Sequence, residues 1–100
     1  MLPYEFHPLA EAELDEAVGY YESVQAGKGL ELADQVQAAI EQLCTFPESA
    51  PITRGNIRSI VVQPPGRWSY TVHYCIKPSV LRVLAVAHQR RQPFYWFGRR

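Results

Sequence analysis

Residues 67–91 read Arg67-Trp-Ser-Tyr-Thr-Val-His-Tyr-Cys-Ile-Lys77, then Pro78-Ser79, then Val80-Leu-Arg-Val-Leu-Ala-Val-Ala-His-Gln-Arg-Arg91. The first arm alternates. Trp68, Tyr70, Val72, Tyr74 and Ile76 share one side, and Ser69, Thr71, His73 and Cys75 share the other. A period of two is that of a half-buried strand. The second arm, Val80 to Ala87, is apolar on both sides except at Arg82. Such a run predicts a central strand covered on both faces, and its β-branched residues favour strand over helix. Lys77-Pro78-Ser79 is turn chemistry, so the two arms form a hairpin. The second arm runs into His88-Gln89-Arg90-Arg91, which places cations at the rim of a packed sheet.

Outward from this hairpin, the chain assembles around it. Pro64-Pro65-Gly66 turns a preceding strand, Ile57 to Gln63, into the first arm. From Pro47 to Asn56 the prolines and Gly55 predict a loop. Before it lie two helices. The first starts at Pro8, in the position proline favours, and carries acids in its opening turns, which suits the helix dipole. Its expected buried stripe is Ala10, Leu14, Ala17, Val18, Tyr21 and Val24. Gly27 is expected as its C-cap. The second helix, Leu30 to Phe46, buries Ala33, Val36, Ala39, Ile40, Leu43 and Cys44, and Pro47 stops it. Tyr4-Glu5-Phe6 is a short strand ahead of both. The expected fold is α+β: an N-terminal strand, a helical hairpin, then a three-stranded antiparallel meander, in one sheet with the helices packed on one face.

One hundred residues predict one domain over 1–100, able to bury roughly two thirds of its unfolded surface without staples. No apolar run reaches the length of a membrane span. The start has neither the basic nor the apolar region of a signal peptide, so the expected location is the cytoplasm. Cys44 and Cys75 lie in apolar segments and read as buried reduced thiols. The formal net charge of zero hides a division. Residues 1–50 hold all ten acids and one base, whereas residues 51–100 hold nine bases and no acid. The basic half either meets an acidic partner or is neutralised by the acidic half of the same molecule.

No phosphate loop, nucleophile motif or metal-ligand spacing is present, so no metal and no cofactor is expected. His7 reads as a helix-entry residue. His73 lies on the polar side of its strand, as a structural or solvent-facing group. By strict alternation Arg82, His88 and Arg90 share one side of the last strand, where they could hold a phosphate and move a proton. The competing expectation is that Arg82 pairs with a helix acid such as Glu13, Glu16, Asp34 or Glu41, and that His88 hydrogen-bonds locally. The tail from Pro93 to Arg100 interleaves aromatic and basic residues, a pattern that serves nucleic-acid stacking and protein interfaces equally well.

Four stretches, in this order and spacing, resemble the RelE/ParE superfamily of bacterial toxins. They are Tyr4-Glu-Phe-His-Pro-Leu-Ala-Glu-Ala-Glu-Leu-Asp-Glu-Ala17, Leu43-Cys-Thr-Phe-Pro-Glu-Ser49, Tyr70-Thr-Val-His-Tyr74, and Val83-Leu-Ala-Val-Ala-His-Gln-Arg-Arg-Gln-Pro-Phe-Tyr-Trp96. The resemblance covers nearly the whole chain. It implies a toxin of a type II toxin–antitoxin pair, wrapped by a cognate ParD/RelB-like antitoxin. One branch of that superfamily cleaves messenger RNA on the ribosome, and the other poisons DNA gyrase. Arg90 matches the arginine that follows the last strand in the cleaving branch, and Tyr95 or Trp96 falls near its C-terminal aromatic. Yet the strand where that branch carries lysines holds only Arg58, and Thr71 falls near its next arginine. The absences favour the gyrase-directed, ParE-like branch, with no chemistry of its own. The expected contacts to target or antitoxin are then Tyr20, Tyr21, Arg90, Arg91, Phe94, Tyr95, Trp96 and Phe97. The alternative is a ribosome-dependent endoribonuclease using Arg58, Arg82, His88, Arg90 and Tyr95. A third possibility is a degenerate relative that only binds its antitoxin.

Overall fold

A computed structural model describes all residues, Met1–Arg100. In chain order the elements are β1 (Tyr4–Phe6), α1 (Pro8–Val24), α2 (Lys28–Thr45), β2 (Ile52–Arg54), β3 (Ile57–Val61), β4 (Tyr70–Ile76) and β5 (Leu81–His88). The strands form one sheet in the order β1-β5-β4-β3-β2. β1 runs parallel to β5, and the other neighbours are antiparallel. The fold is thus α+β, as expected. The sheet has one strand more than expected, because Ile52–Arg54 pairs with β3 across Gly55-Asn56. Gly55 takes a positive φ of 60°, which a side chain would resist.

The helical hairpin covers one face of the sheet. Leu32, Val36, Ile40 and Leu43 of α2 meet Val72, Tyr74, Leu81, Val83 and Val86 of the sheet in a single apolar cluster. Trp68 and Val62 join it. Val24, expected on the buried stripe of α1, is instead exposed, at the last residue of the helix. Gly27 is the N-cap of α2 rather than the C-cap of α1, with φ 88°. It offers no side chain to the new helix, and Glu22 of α1 supplies the acceptor: its carboxylate takes the N–H groups of Gly27 and Leu30, each at 3.1 Å. Those backbone donors hold the Glu22 carboxyl below its ordinary pKa. Gly29 is where the helices touch. A Cβ there would press on the Val18 carbonyl and the Glu22 side chain.

Residues 89–100 cross the opposite face as a series of turns. Their backbone bonds include Arg91 to His88, Phe97 to Phe94 and Arg99 to Trp96. Beneath them lies a second, smaller apolar cluster of Ile57, Cys75, Leu84, Ala85, Ala87 and Trp96. The sheet is therefore covered on both sides, which is why β5 reads as a continuous apolar run. Cys44 belongs to the first cluster and Cys75 to the second, and both thiols are buried and unpaired. No helix is long and apolar enough to cross a membrane.

Candidate functional site

Strict alternation fails on β5. Tyr70 faces His88 and His73 faces Ala85, but Tyr74 faces Val83, so Leu84 is the extra residue of a bulge. Leu84 and Ala85 consecutively point to the tail side. The slip separates the expected trio. Arg82 lies opposite Cys75, on the tail side, whereas His88 lies opposite Tyr70, on the helix side.

Arg82 also has a different partner from those anticipated. Its guanidinium pairs with Glu5 on the neighbouring β1, the residue directly across the parallel ladder, and not with Glu13, Glu16, Asp34 or Glu41. Arg58 occupies the helix side of β3 and donates to the carbonyls of Glu48 and Ala50, at 3.1 and 2.8 Å. It pins the loop that follows α2. Arg90 is exposed, and its backbone N–H donates to His88 Nδ1 at 3.0 Å. The five residues of a cleaving site are thus spread over both faces, and the arginines on β3 and β5 hold structure.

Tyr95 is committed as well. Its hydroxyl donates to Glu13 Oε2 at 2.6 Å. Burial first, and then this carboxylate, push the phenol far above its ordinary pKa. Glu13, expected only as one possible partner of Arg82, is instead a focal residue with other partners. Past Phe6, β5 has no strand partner on that edge. The Val86 N–H is taken instead by Glu13 Oε1 at 3.1 Å, and the Leu84 carbonyl accepts from Arg99 at 2.9 Å. Arg99 also grips Glu13 with two nitrogens, at 3.0 and 3.2 Å. One carboxylate and one guanidinium therefore plug the open edge of β5 and tie the tail to α1. Nothing in the sequence distinguishes Glu13 from the other acids of the first helical turns.

His73 is the second anchor of the tail. Its ring stacks on Trp96 at 4.2 Å, and Ser59 Oγ lies 2.6 Å from its Nδ1. The Thr53 hydroxyl donates to Ser59, which carries the chain of bonds out to the edge strand. Burial lowers the His73 pKa to about 4. Trp96 is 3% exposed, which places it in a core and not among the surface anchors. The exposed members of the expected contact set are Tyr20, Arg90, Arg91, Phe94 and Phe97. Phe94 and Phe97 hold the Arg54 guanidinium between them, 4.8 and 4.3 Å from their ring centres. Arg91 lies over the Tyr95 ring at 4.0 Å.

Tyr20 and Tyr21 begin an aromatic row that leaves α1 for the sheet. Each step is edge-to-face: Tyr20 to Tyr21 at 5.2 Å, Tyr21 to Tyr70 at 6.4 Å, Tyr70 to His88 at 5.2 Å. The row floors an open groove of about 420 Å³ between α1 and the ends of β4 and β5, with Glu16 on its helical wall. The parity of Tyr70 was visible in the sequence, but its meeting with His88 was hidden by the bulge.

Comparison with known proteins agrees with this architecture. A solved structure titled "Chromosomal ParDE TA system from P. aeruginosa" superposes with a TM-score of 0.73 at 16% identity, covering 88% of this chain and 96% of that one. At that identity the likeness speaks for the fold. No curated protein matches by sequence. The family model described as "ParE toxin of type II toxin-antitoxin system, parDE" matches residues 4–93. That span takes in both helices and every strand, so the chain belongs to the family of ParE toxins of type II toxin–antitoxin systems.

Proposed function

We propose that this toxin acts by binding and poisoning DNA gyrase, without chemistry of its own, and that a cognate antitoxin neutralises it by covering the same contact surfaces. The observation that carries the reading is the dispersal of the cations. Arg58 and Arg82 lie on opposite faces of the sheet and are engaged by carbonyls and by Glu5. Tyr95 is bonded to Glu13. Phosphate-directed cleavage needs convergent charge near one scissile bond; of the five residues only His88 and Tyr95 line a common hollow, the Tyr95 hydroxyl is held by Glu13, and Arg90 meets His88 through its backbone N–H alone. What the molecule offers outward is an exposed aromatic and arginine surface, with Tyr20 on α1 and Arg90, Arg91, Phe94 and Phe97 on the tail. Such residues are the usual anchors of protein interfaces.

The test uses two reactions with the purified chain. One holds gyrase and supercoiled DNA, and the other holds translating ribosomes with messenger RNA. Trapped gyrase–DNA cleavage complexes with intact message are expected. Changing Arg91 and Phe94 together to alanine should abolish the trapping, while His88→Ala should leave it nearly intact. Codon-phased RNA cuts with unaffected gyrase would overturn the proposal. Silence in both reactions would leave a chain that only binds its antitoxin.

A further inference from the structure

Between the tail and the ends of β4 and β5 lies a hollow of about 280 Å³. Every residue lining it comes from the half of the chain that holds no acid, so no carboxylate of the protein lines it. Its one formal charge is Arg91. Arg67, Arg82 and Arg99 are each paired with a glutamate, but Arg91 is exposed and forms no ion pair. Arg91 also borders the groove beside α1, and the exposed Glu16 of that groove does not pair with it. The nearest buried acid, Glu13, is matched by Arg99. The Arg91 guanidinium lies over the Tyr95 ring, which occupies one face and leaves its N–H edges free.

The imidazoles beside Arg91 are donors. His73 is only 8% exposed. Its Nδ1 is taken by Ser59, whose hydroxyl already accepts from Thr53, so the Ser59 hydrogen turns to Nδ1 and the ring proton sits on Nε2. That N–H has no partner within the protein. Nor is it sealed, because the one sealed side-chain atom left without a bond is Trp68 Nε1. It opens into the hollow that His73 lines. Burial keeps the ring neutral near pH 7, so it presents this one donor. His88, also in the lining, has the same tautomer, since its Nδ1 accepts from the Arg90 backbone. Thr71 adds a hydroxyl.

Two imidazole N–H groups and an unpaired guanidinium, with no acid among them, select an anion. A carboxylate matches the single positive charge and the planar fork of Arg91. A nucleotide suits the hollow less well, because its rings are already engaged: Trp96 is buried against His73, Tyr95 lies under Arg91, and Phe94 beside Arg54. One exposed cation gives a free carboxylate little affinity, so the bearer must bring further contacts. The rim supplies them. Phe94 lines the hollow, is 41% exposed, and is held at a φ of 62°, a strained setting for a large side chain. We infer that the hollow receives the carboxylate of an acidic side chain on a partner polypeptide, whose apolar neighbours lie against Phe94. The assignment rests on the reading that this toxin works through protein partners.

The probe is a blocked pentapeptide with a central glutamate flanked by leucines, titrated into the isotope-labelled chain and followed by NMR. Its glutamine counterpart, acetate and a ribodinucleotide are titrated in parallel. The glutamate peptide should saturate, moving the amides of Thr71, His73 and residues 91–96 and drawing the His73 Nε2–H proton downfield. The glutamine peptide should bind roughly fivefold more weakly, and acetate more weakly still. Arg91→Gln and Thr71→Val should keep the fold, checked by circular dichroism, while weakening the glutamate peptide about fivefold and threefold. Equal binding of the two peptides, an unmoved His73 proton, or unchanged affinity in both variants would overturn the inference. Acetate binding as tightly as the peptide would overturn the polypeptide bearer, and tighter binding of the dinucleotide would put nucleic acid in its place. Gyrase trapping by the unaltered chain is independent. Trapping without glutamate-peptide binding would reject the hollow alone, and binding without trapping would reject the gyrase target alone.

Discussion

Glu13 accepts four contacts from three sources: the Val86 backbone, the Tyr95 hydroxyl and both terminal nitrogens of Arg99. Its side chain and that of Arg99 are 15% and 13% exposed, so neither charge has ready recourse to water. Removing one member strands the other. Glu13→Gln keeps an acceptor for Val86 but leaves the guanidinium without its charge, and should cost about 3 kcal/mol in urea denaturation. A double-mutant cycle with Arg99→Met should show strong coupling, because the second change removes what the first left unpaired. His73 adds a pH dependence. The unfolded chain takes up a proton at this residue near pH 6.5, whereas the folded chain resists it until about pH 4. His73 thus adds no pH dependence above pH 6.5, and stability falls as pH drops from 6.5 towards 4, at up to about 1.4 kcal/mol per pH unit. His73→Gln should keep the bond to Ser59 and flatten that part of the stability–pH curve.

Among elements, the β4–β5 hairpin was the most legible in sequence, because β4 alternates cleanly between two covered faces. The bulge at Leu84 was not. Val83, Leu84, Ala85 and Val86 are apolar whichever way they point, so a shift of parity leaves no mark on the pattern. That silence is what set Arg82 and His88 on one expected face when they occupy two. The missed β2 did leave a mark. Gly55-Asn56 between Thr53-Arg54 and Ile57 is a hairpin turn signal, masked by the flanking prolines and by a strand exposed at all three positions. The helical hairpin offers a paired test of two glycines. At Gly29 a methyl group would meet the Val18 backbone, which cannot swing aside, whereas at Gly19 nothing lies within 4 Å. Gly29→Ala should destabilise by about 2 kcal/mol as an overpacked contact. Gly19→Ala, in the middle of α1, should stabilise by about 0.5–1 kcal/mol. Thermal melts of both variants check the contrast.

At the scale of the molecule, the charge division is only lightly settled internally. Three ion pairs form, Arg67 with Glu31, Arg82 with Glu5 and Arg99 with Glu13, and each draws its base from the second half of the chain and its acid from the first. Apart from Glu22, which caps the start of α2, the remaining helix acids are exposed, as are Arg90, Arg91 and Arg100 of the tail. The tail also closes the second core, and residues 94–100 lie beyond the family match. Trp96 is the centre of that closure. Trp96→Ala should remove the stacking on His73 and open the cluster, at a cost of about 3–5 kcal/mol by chemical denaturation. A loss of under 1 kcal/mol would show that the tail is not part of the folded core.

The placement of one thiol in each core makes the chain report on its own openings. Cys75 is sealed by the tail, and Cys44 by the docking of two helices on the sheet. Lifting the tail breaks the contacts of Glu13 and Trp96 and leaves the larger cluster intact. Exposing Cys44 requires far more of the structure to come apart. A thiol reagent applied under native conditions should therefore modify Cys75 by partial opening well before Cys44, at a rate that Glu13→Gln raises for Cys75 alone. Equal rates at both sulfurs would mean that the two layers open as one cooperative unit.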